Sequence, residues 1–235
     1  MKPFALTSIL LANFACGQAF GQKLIEPQLT INTGETSAPH VALTFDACSG
    51  LVDQRILQAL IDNKINATIF VTARWLKRNP KAVETIKQQK DLFEIENHGA
   101  NHVPAVDFPT TVFSLRAAGS PQAVRDEVQG GAQAIEKAFG EKPIWFRGAA
   151  GHYTAESEKL ITAMNFKIAG YSLIGDGGAS FSTAHAARVI SQAQNGDVIV
   201  AHMNQPLKPA GAGVVEGILK LKTAGFVFVK LNDGI

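Results

Sequence analysis

Cysteine is nearly absent: of 235 residues, only Cys16 and Cys48 carry a thiol. Cys16 lies in an N-terminal stretch that reads as removable, so the remaining chain holds one cysteine and can form no internal disulfide. A dominant charge is missing as well. Lysine plus arginine total 22 against 20 acidic residues, a formal net charge of +2, with no long basic run. That balance excludes nucleic acid or an anionic membrane surface as the main partner. After the N-terminus no segment is apolar enough to span a bilayer, and there is no internal repeat or low-complexity linker. No glycine-rich phosphate fingerprint follows the first strand, which argues against a dinucleotide site.

What is present starts with a secretory signal over residues 1–21. Lys2 supplies the positive start, and an apolar stretch runs from Phe4 to about Cys16, interrupted by Asn13. Ala19-Phe20-Gly21 offers small residues for cleavage. The expected location is therefore outside the cytoplasm, periplasmic or extracellular. Residues 22–39 read as a polar lead-in and 40–235 as a single domain, a length that fills one core. No obligate protein partner is evident.

Within that domain short apolar strands alternate with helical stretches. Residues 40–47 (HVALTFDA) alternate, with Val41, Leu43 and Phe45 on one face and Ala42, Thr44 and Asp46 on the other. Further strands are expected at 67–72, 92–98, 143–147, 168–173, 197–202 and 226–231. Helices are expected at 51–65, 73–89 with a break at Pro80, 121–139, 156–164, 183–193 and 214–223. Residues 99–120 form a long irregular segment. Seven β/α units in alternation imply a parallel sheet covered by helices. Polar residues gather at the C-terminal ends of at least four strands, which a barrel would bring to one rim. The expected fold is therefore α/β, a distorted (β/α)7-type barrel.

Asp46 shares a strand face with two small residues and points inward, or else caps the next helix. His98 and His102 lie four residues apart as the chain leaves a strand, a spacing that lets two imidazoles face one cation. Arg147 ends a strand and can hold an aspartate ionised across the barrel mouth. Small residues follow it, so backbone N–H groups can approach a substrate as an oxyanion site requires. His202, at the end of an apolar strand, suits acid–base work near neutral pH or a packed core position.

In this order the motifs resemble those of the polysaccharide deacetylases, the NodB-homology fold of carbohydrate esterase family 4. The matching segments are Thr44-Phe45-Asp46, His98 through His102, Phe146-Arg147 with Gly151, the stretch from Gly170 to Asp176, and the strand ending at His202. The resemblance implies removal of acetyl groups from an N- or O-acetylated glycan such as peptidoglycan, a chitin-like polymer or hemicellulose. It also implies a divalent metal, usually zinc, that holds the scissile carbonyl and a water. By the same resemblance Asp46 would be the base, and His98 and His102 metal ligands. Arg147 would orient Asp46, the Ala150 N–H would bind the oxyanion, and His202 would protonate the leaving group.

One departure is chemical. The family pattern carries a second aspartate, a metal ligand, where this sequence has Ala47. Asp46 itself, Cys48 and Glu96 are the candidates to replace it, with Asp46 preferred; Cys48 otherwise reads as a small buried residue. Asp176 either tunes His202 or holds a turn, and Tyr153 is a candidate for stacking on a sugar ring. Two rival readings follow: a glycan-binding homologue without catalysis, and a related amidase acting on a small non-sugar C–N bond.

Overall fold

The computed structural model describes residues 23–34 and 37–234; the signal segment at residues 1–21, Cys16 included, lies outside the described residues. The alternation at the first strand, β1 (His40–Ala47), divides two cores. Val41, Leu43, Phe45 and Ala47 pack under the helices, whereas Ala42 joins Phe70, Trp145, Val198 and Leu231 inside the curl of the sheet. Burying a side chain such as Leu43 or Phe45 contributes roughly 1.5–3 kcal/mol, which pins the register of β1.

Helix α1 (Gln54–Asp62) starts where the Asp53 side chain accepts from the Arg55 N–H, and buries Ile56, Leu57 and Leu60. Strand β2 (Ala67–Val71) leads to α2 (Ala73–Arg78) and α3 (Pro80–Lys87). The expected break at Pro80 is there, with proline at the start of a helix where its missing N–H costs nothing. After β3 (Phe93–Asn97) the long segment contains a small hairpin, β4 (Thr111–Val112) and β5 (Leu115–Arg116). Helix α4 (Pro121–Phe139) matches its expected bounds, capped by Ser120 and ended by Gly140 at φ 80°.

Then come β6 (Trp145–Phe146), α5 (Ala155–Ala163), β7 (Lys167–Ile168) and β8 (Leu173–Ile174). The single strand expected at 168–173 is therefore two short ones. The Ala169 and Gly170 carbonyls between them accept from the Arg147 side chain, and the Tyr171 carbonyl accepts from Leu29. Polar groups that would extend one ladder are thus used elsewhere. The chain ends with α6 (Thr183–Ser191), β9 (Val198–His202), α7 (Ala210–Thr223), β10 (Val227–Val229) and α8 (Leu231–Gly234).

The main sheet runs β7-β6-β3-β2-β1-β9-β8, with β10 beside the first half of β1, and its pairs are all parallel. It curls into a half-barrel whose end strands, β7 and β8, do not pair. Residues 23–34 lie along that seam. Ile25 exchanges hydrogen bonds of 2.8 and 2.9 Å with Tyr153, Ile31 donates to the Gly196 carbonyl, and the Ile31 side chain is buried in the inner core. Among the described residues no helix is long and apolar enough to cross a membrane.

Inside the half-barrel, below the rim, β3 carries a buried carboxyl, Glu96, and a half-buried one, Glu94. Glu94 accepts from Thr68 and from the Asn232 N–H, while Glu96 Oε2 accepts from the Ile144 and Trp145 N–H groups at 2.9 and 2.7 Å. Burial raises the Glu96 pKa to about 8; the N–H of Trp145 opposes this and the Glu94 charge adds to it. An unfolded glutamate ionises near 4.5. Between these values the unfolded chain releases its proton first, so folding stability falls as pH rises from about 4.5 to about 8 and is level beyond. Glu96→Gln keeps an oxygen for both N–H groups and removes the ionisation. The loss of melting temperature between about pH 5 and pH 8 should shrink by several degrees in the variant. Equal slopes for the two proteins would contradict this assignment.

Candidate active site

Side chains from five strand ends meet at the rim. Asp46, near the end of β1, is 7% exposed, and its Oδ1 accepts from Arg147 Nη1 at 3.0 Å. Arg147 is fully buried. The same Nη1 donates to Thr44 Oγ1, Nε and Nη2 donate to the Ala169 and Gly170 carbonyls, and the guanidinium lies 4.2 Å from the Phe70 ring centroid. Burial favours the neutral form of Asp46. The neighbouring His98 ring, the charges of Arg147 and His202, and the Arg147 hydrogen bond outweigh it and hold the carboxyl below its ordinary pKa.

His98 follows β3 and places Nδ1 2.6 Å from the Arg147 carbonyl. A carbonyl only accepts, so Nδ1 carries the proton and Nε2 keeps its lone pair. That Nε2 lies 3.6 Å from Cys48 Sγ and 3.8 Å from Asp46 Oδ2. His102 adopts a left-handed backbone, φ 62°, which brings its ring within 5.1 Å of His98 between centroids. Burial first, then the neighbouring His98, lowers the His102 pKa to about 3, so its ring is a neutral donor of lone pairs. The loop carrying both histidines rests on α4. Glu127 accepts from the Asn101 and Val103 N–H groups, and Asn97 donates to the Val128 carbonyl. A Cβ at Gly131 would come within 2.1 Å of Asn97 Oδ1, so glycine is required for this approach.

Ala47 packs its methyl group into the helix-facing core, away from the histidines. The next residue, Cys48, turns toward them. Its Sγ and one nitrogen each from His98 and His102 lie within 4.8 Å of one another. Thr72 Oγ1 donates to the Cys48 carbonyl, which holds the turn after β1. Burial, then the charges of Asp46 and Asp176, push the Cys48 pKa well up. One sulfur and two nitrogens suit zinc, and a cation among them supplies the positive charge that a thiolate here lacks. Asn204 Oδ1, buried beside them, has no hydrogen-bond partner among the described residues.

His202 ends β9. Asp176 Oδ2 accepts from the His202 N–H at 2.7 Å, and Oδ1 lies 3.0 Å from Nδ1. Burial opposes the charged ring, but the Asp176 hydrogen bond and charge, helped by Asp46, raise the His202 pKa above its ordinary value. Asp176 therefore contacts His202 through both oxygens. Across the rim Ala150 sits in a 3-10 turn with φ 64°, and the Ala150 carbonyl lies 2.6 Å from His152 Nδ1.

Asp46, Cys48, His98, His102, Arg147, Asp176 and His202 thus converge, and Ala150 lies in the turn that follows Arg147. Two expected residues do not. Glu96 is two residues deeper in β3, bound to the Ile144 and Trp145 N–H groups, too far down the strand to join the cysteine and histidines. Tyr153 is fully buried, its hydroxyl accepting from the Gly148 N–H at 2.6 Å and its ring edge-on to Phe146, so it has no face for a sugar. Sequence reasoning missed Thr44, Asn97, Glu127 and Asn204. Glu127 had a visible signal: it shares the buried stripe of α4 with Val124, Val128 and Ile135.

Comparison with known proteins identifies the family. The family model described as polysaccharide deacetylase matches residues 33–169. Among solved structures, the T48 deacetylase with substrate is 25% identical, with TM-score 0.65 over 83% of this chain and 90% of that one. A peptidoglycan N-acetylglucosamine deacetylase is 22% identical, with TM-score 0.72 over 88% and 92%. A family 4 pseudoenzyme from Bacillus anthracis is 22% identical, with TM-score 0.65 over 84% and 65%. No curated protein matches. The matched segment covers more than half of the sequence and includes Asp46, Cys48, His98, His102 and Arg147, and on that match the chain belongs to the polysaccharide deacetylase family.

Proposed function

We propose that this chain is an exported, metal-dependent deacetylase that hydrolyses N- or O-acetyl groups on an extracytoplasmic glycan. The observation that carries the reading is the Cys48–His98–His102 cluster beside an ionised Asp46. In this reading Cys48 supplies the third metal ligand that Ala47 cannot, and Asp46 is left free as the base. A divalent ion held there, zinc by its donor set, would polarise the acetyl carbonyl and acidify a water. Asp46 Oδ2, the oxygen not bound by Arg147, takes the water's proton. The Ala150 N–H faces the negative charge that grows on the carbonyl oxygen. His202, kept protonated by Asp176, gives its proton to the leaving amine or alcohol. Export rests on the signal-like residues 1–21.

A second reading, a glycan-binding protein without catalysis, is favoured by Ala47 alone. Metal content separates the two. After reconstitution with zinc, the wild type should hold about one ion per chain by elemental analysis. Cys48→Ala and His98→Ala should each weaken binding by more than about 100-fold, since loss of even an outer-shell partner costs 10–100-fold. A wild type that retains no ion favours the binding protein, and a Cys48→Ala variant with unchanged affinity removes Cys48 from the ligand set.

The pH profile of acetate release tests the acid. His202 must be protonated and its pKa is raised, so kcat/KM should hold up to its folded pKa and fall as pH rises through it. Asp176→Asn removes the raising contact. The alkaline limb should move to lower pH, with kcat reduced roughly tenfold or more. An alkaline limb that stays in place would give the proton to another group.

A further inference from the structure

We propose that Phe113, with the His152 imidazole perpendicular to it, forms a binding subsite for a pyranose ring adjacent to the sugar that carries the acetyl group. The inference rests on the deacetylase reading and adds to it a contact outside the reacting centre.

The turn of the β4–β5 hairpin is Phe113-Ser114, and both residues are left-handed, at φ 45° and 67°. Two-residue hairpin turns with this backbone favour Asn-Gly, and a bulky aromatic is among the least suited residues. Phe113 is nonetheless 77% exposed and is the one exposed aromatic among the described residues. Its ring is thus held in water at a strained position without burying apolar surface, an arrangement found where strain serves a site. The frame beneath is firm. The Ala117 N–H donates to the Thr110 carbonyl at 3.0 Å, and Val112 and Ala117 are buried against Val106.

The hairpin is also tied to the reacting centre. Phe113 meets His152 edge to face, with centroids 5.3 Å apart and planes at 87°. His152 Nδ1 is bound to the carbonyl of Ala150, whose methyl group packs against the hairpin's own apolar cluster. Arg147, at the start of that loop, contacts both Asp46 and His98. The perpendicular pair therefore forms a corner beside the proposed oxyanion site. It offers a phenyl face to the C–H groups of a sugar ring and leaves His152 Nε2 as a polar atom for a hydroxyl. Thr111, Ser114 and Arg116 around the ring are exposed, so the setting is one aromatic among polar groups and not an apolar patch for a protein or bilayer.

The test uses the full zinc-reconstituted chain, its Phe113→Ala and Phe113→Trp variants, and two probes, N-acetylchitotetraose and N-acetylglucosamine. Acetate release gives kcat and KM, and titration followed by NMR gives Kd and the shifts of the Phe113 ring protons. In Phe113→Ala the ratio of tetramer to monomer kcat/KM should fall about tenfold, mainly through KM, and Phe113→Trp should restore it. A ratio left unchanged, or a kcat loss shared equally by both probes, overturns the subsite. If the wild type releases no acetate, the deacetylase reading fails separately. The subsite then stands if tetramer Kd weakens about tenfold in Phe113→Ala, and falls if the tetramer does not bind or binds both proteins equally.

Discussion

A buried guanidinium organises this molecule. Arginine keeps its charge at any working pH, and enclosing that charge is tolerable only if its donors are met by well-placed acceptors. Arg147 meets this demand with Thr44, Asp46 and the Ala169 and Gly170 carbonyls, stacked on Phe70. These contacts draw β1 and the connection after β7 toward the end of β6. They explain why the strand beyond β7 breaks, and they set the ionisation of Asp46. The Arg147 main-chain carbonyl, through His98 Nδ1, also selects which imidazole nitrogen faces Cys48. One residue thus governs a carboxylate through its side chain and a histidine through its backbone.

Periodicity in the sequence translated well where one element determines its own shape. The two faces of β1 separate the inner and outer cores as their alternation implies, and α4 runs between its proline start and glycine end. Elements that depend on distant partners were less legible. The split between β7 and β8 depends on Arg147 and Leu29, neither of which adjoins that segment. The β4–β5 hairpin has no Asn-Gly signal, since Phe113-Ser114 occupies the turn. Residues 22–39 looked polar overall, yet Ile25, Pro27, Leu29 and Ile31 alternate, and Ile25, Leu29 and Ile31 bond to the seam.

The rim residues were readable because strand parity and strand ends are local properties, and five of them could be named together. The position that sequence could not decide was the one after Asp46. Parity sends Ala47 toward the helices and the next residue, Cys48, back to the face of Asp46, where it meets the histidines. Glu96 shares a face with His98, but a two-residue step along a strand is about 6.6 Å, enough to move its carboxyl from rim to floor. Tyr153 was misplaced because the bend from Gly148 to Tyr153 depends on a hydroxyl bond to the Gly148 N–H.

The lead-in also bears on the order of folding. Its partners come late in the chain: Glu26 bonds Tyr171 across 145 positions, and Ile31 reaches Gly196. Contacts so distant in sequence carry a large loop-closure entropy and form after local ones. This segment is therefore among the last to settle, because its partners Tyr153, Tyr171 and Gly196 come together only once β7 to β9 are assembled. Docking of residues 23–34 through Ile25, Leu29 and Ile31 is thus a late step, one that closes the seam only after the strands on both sides of it have formed.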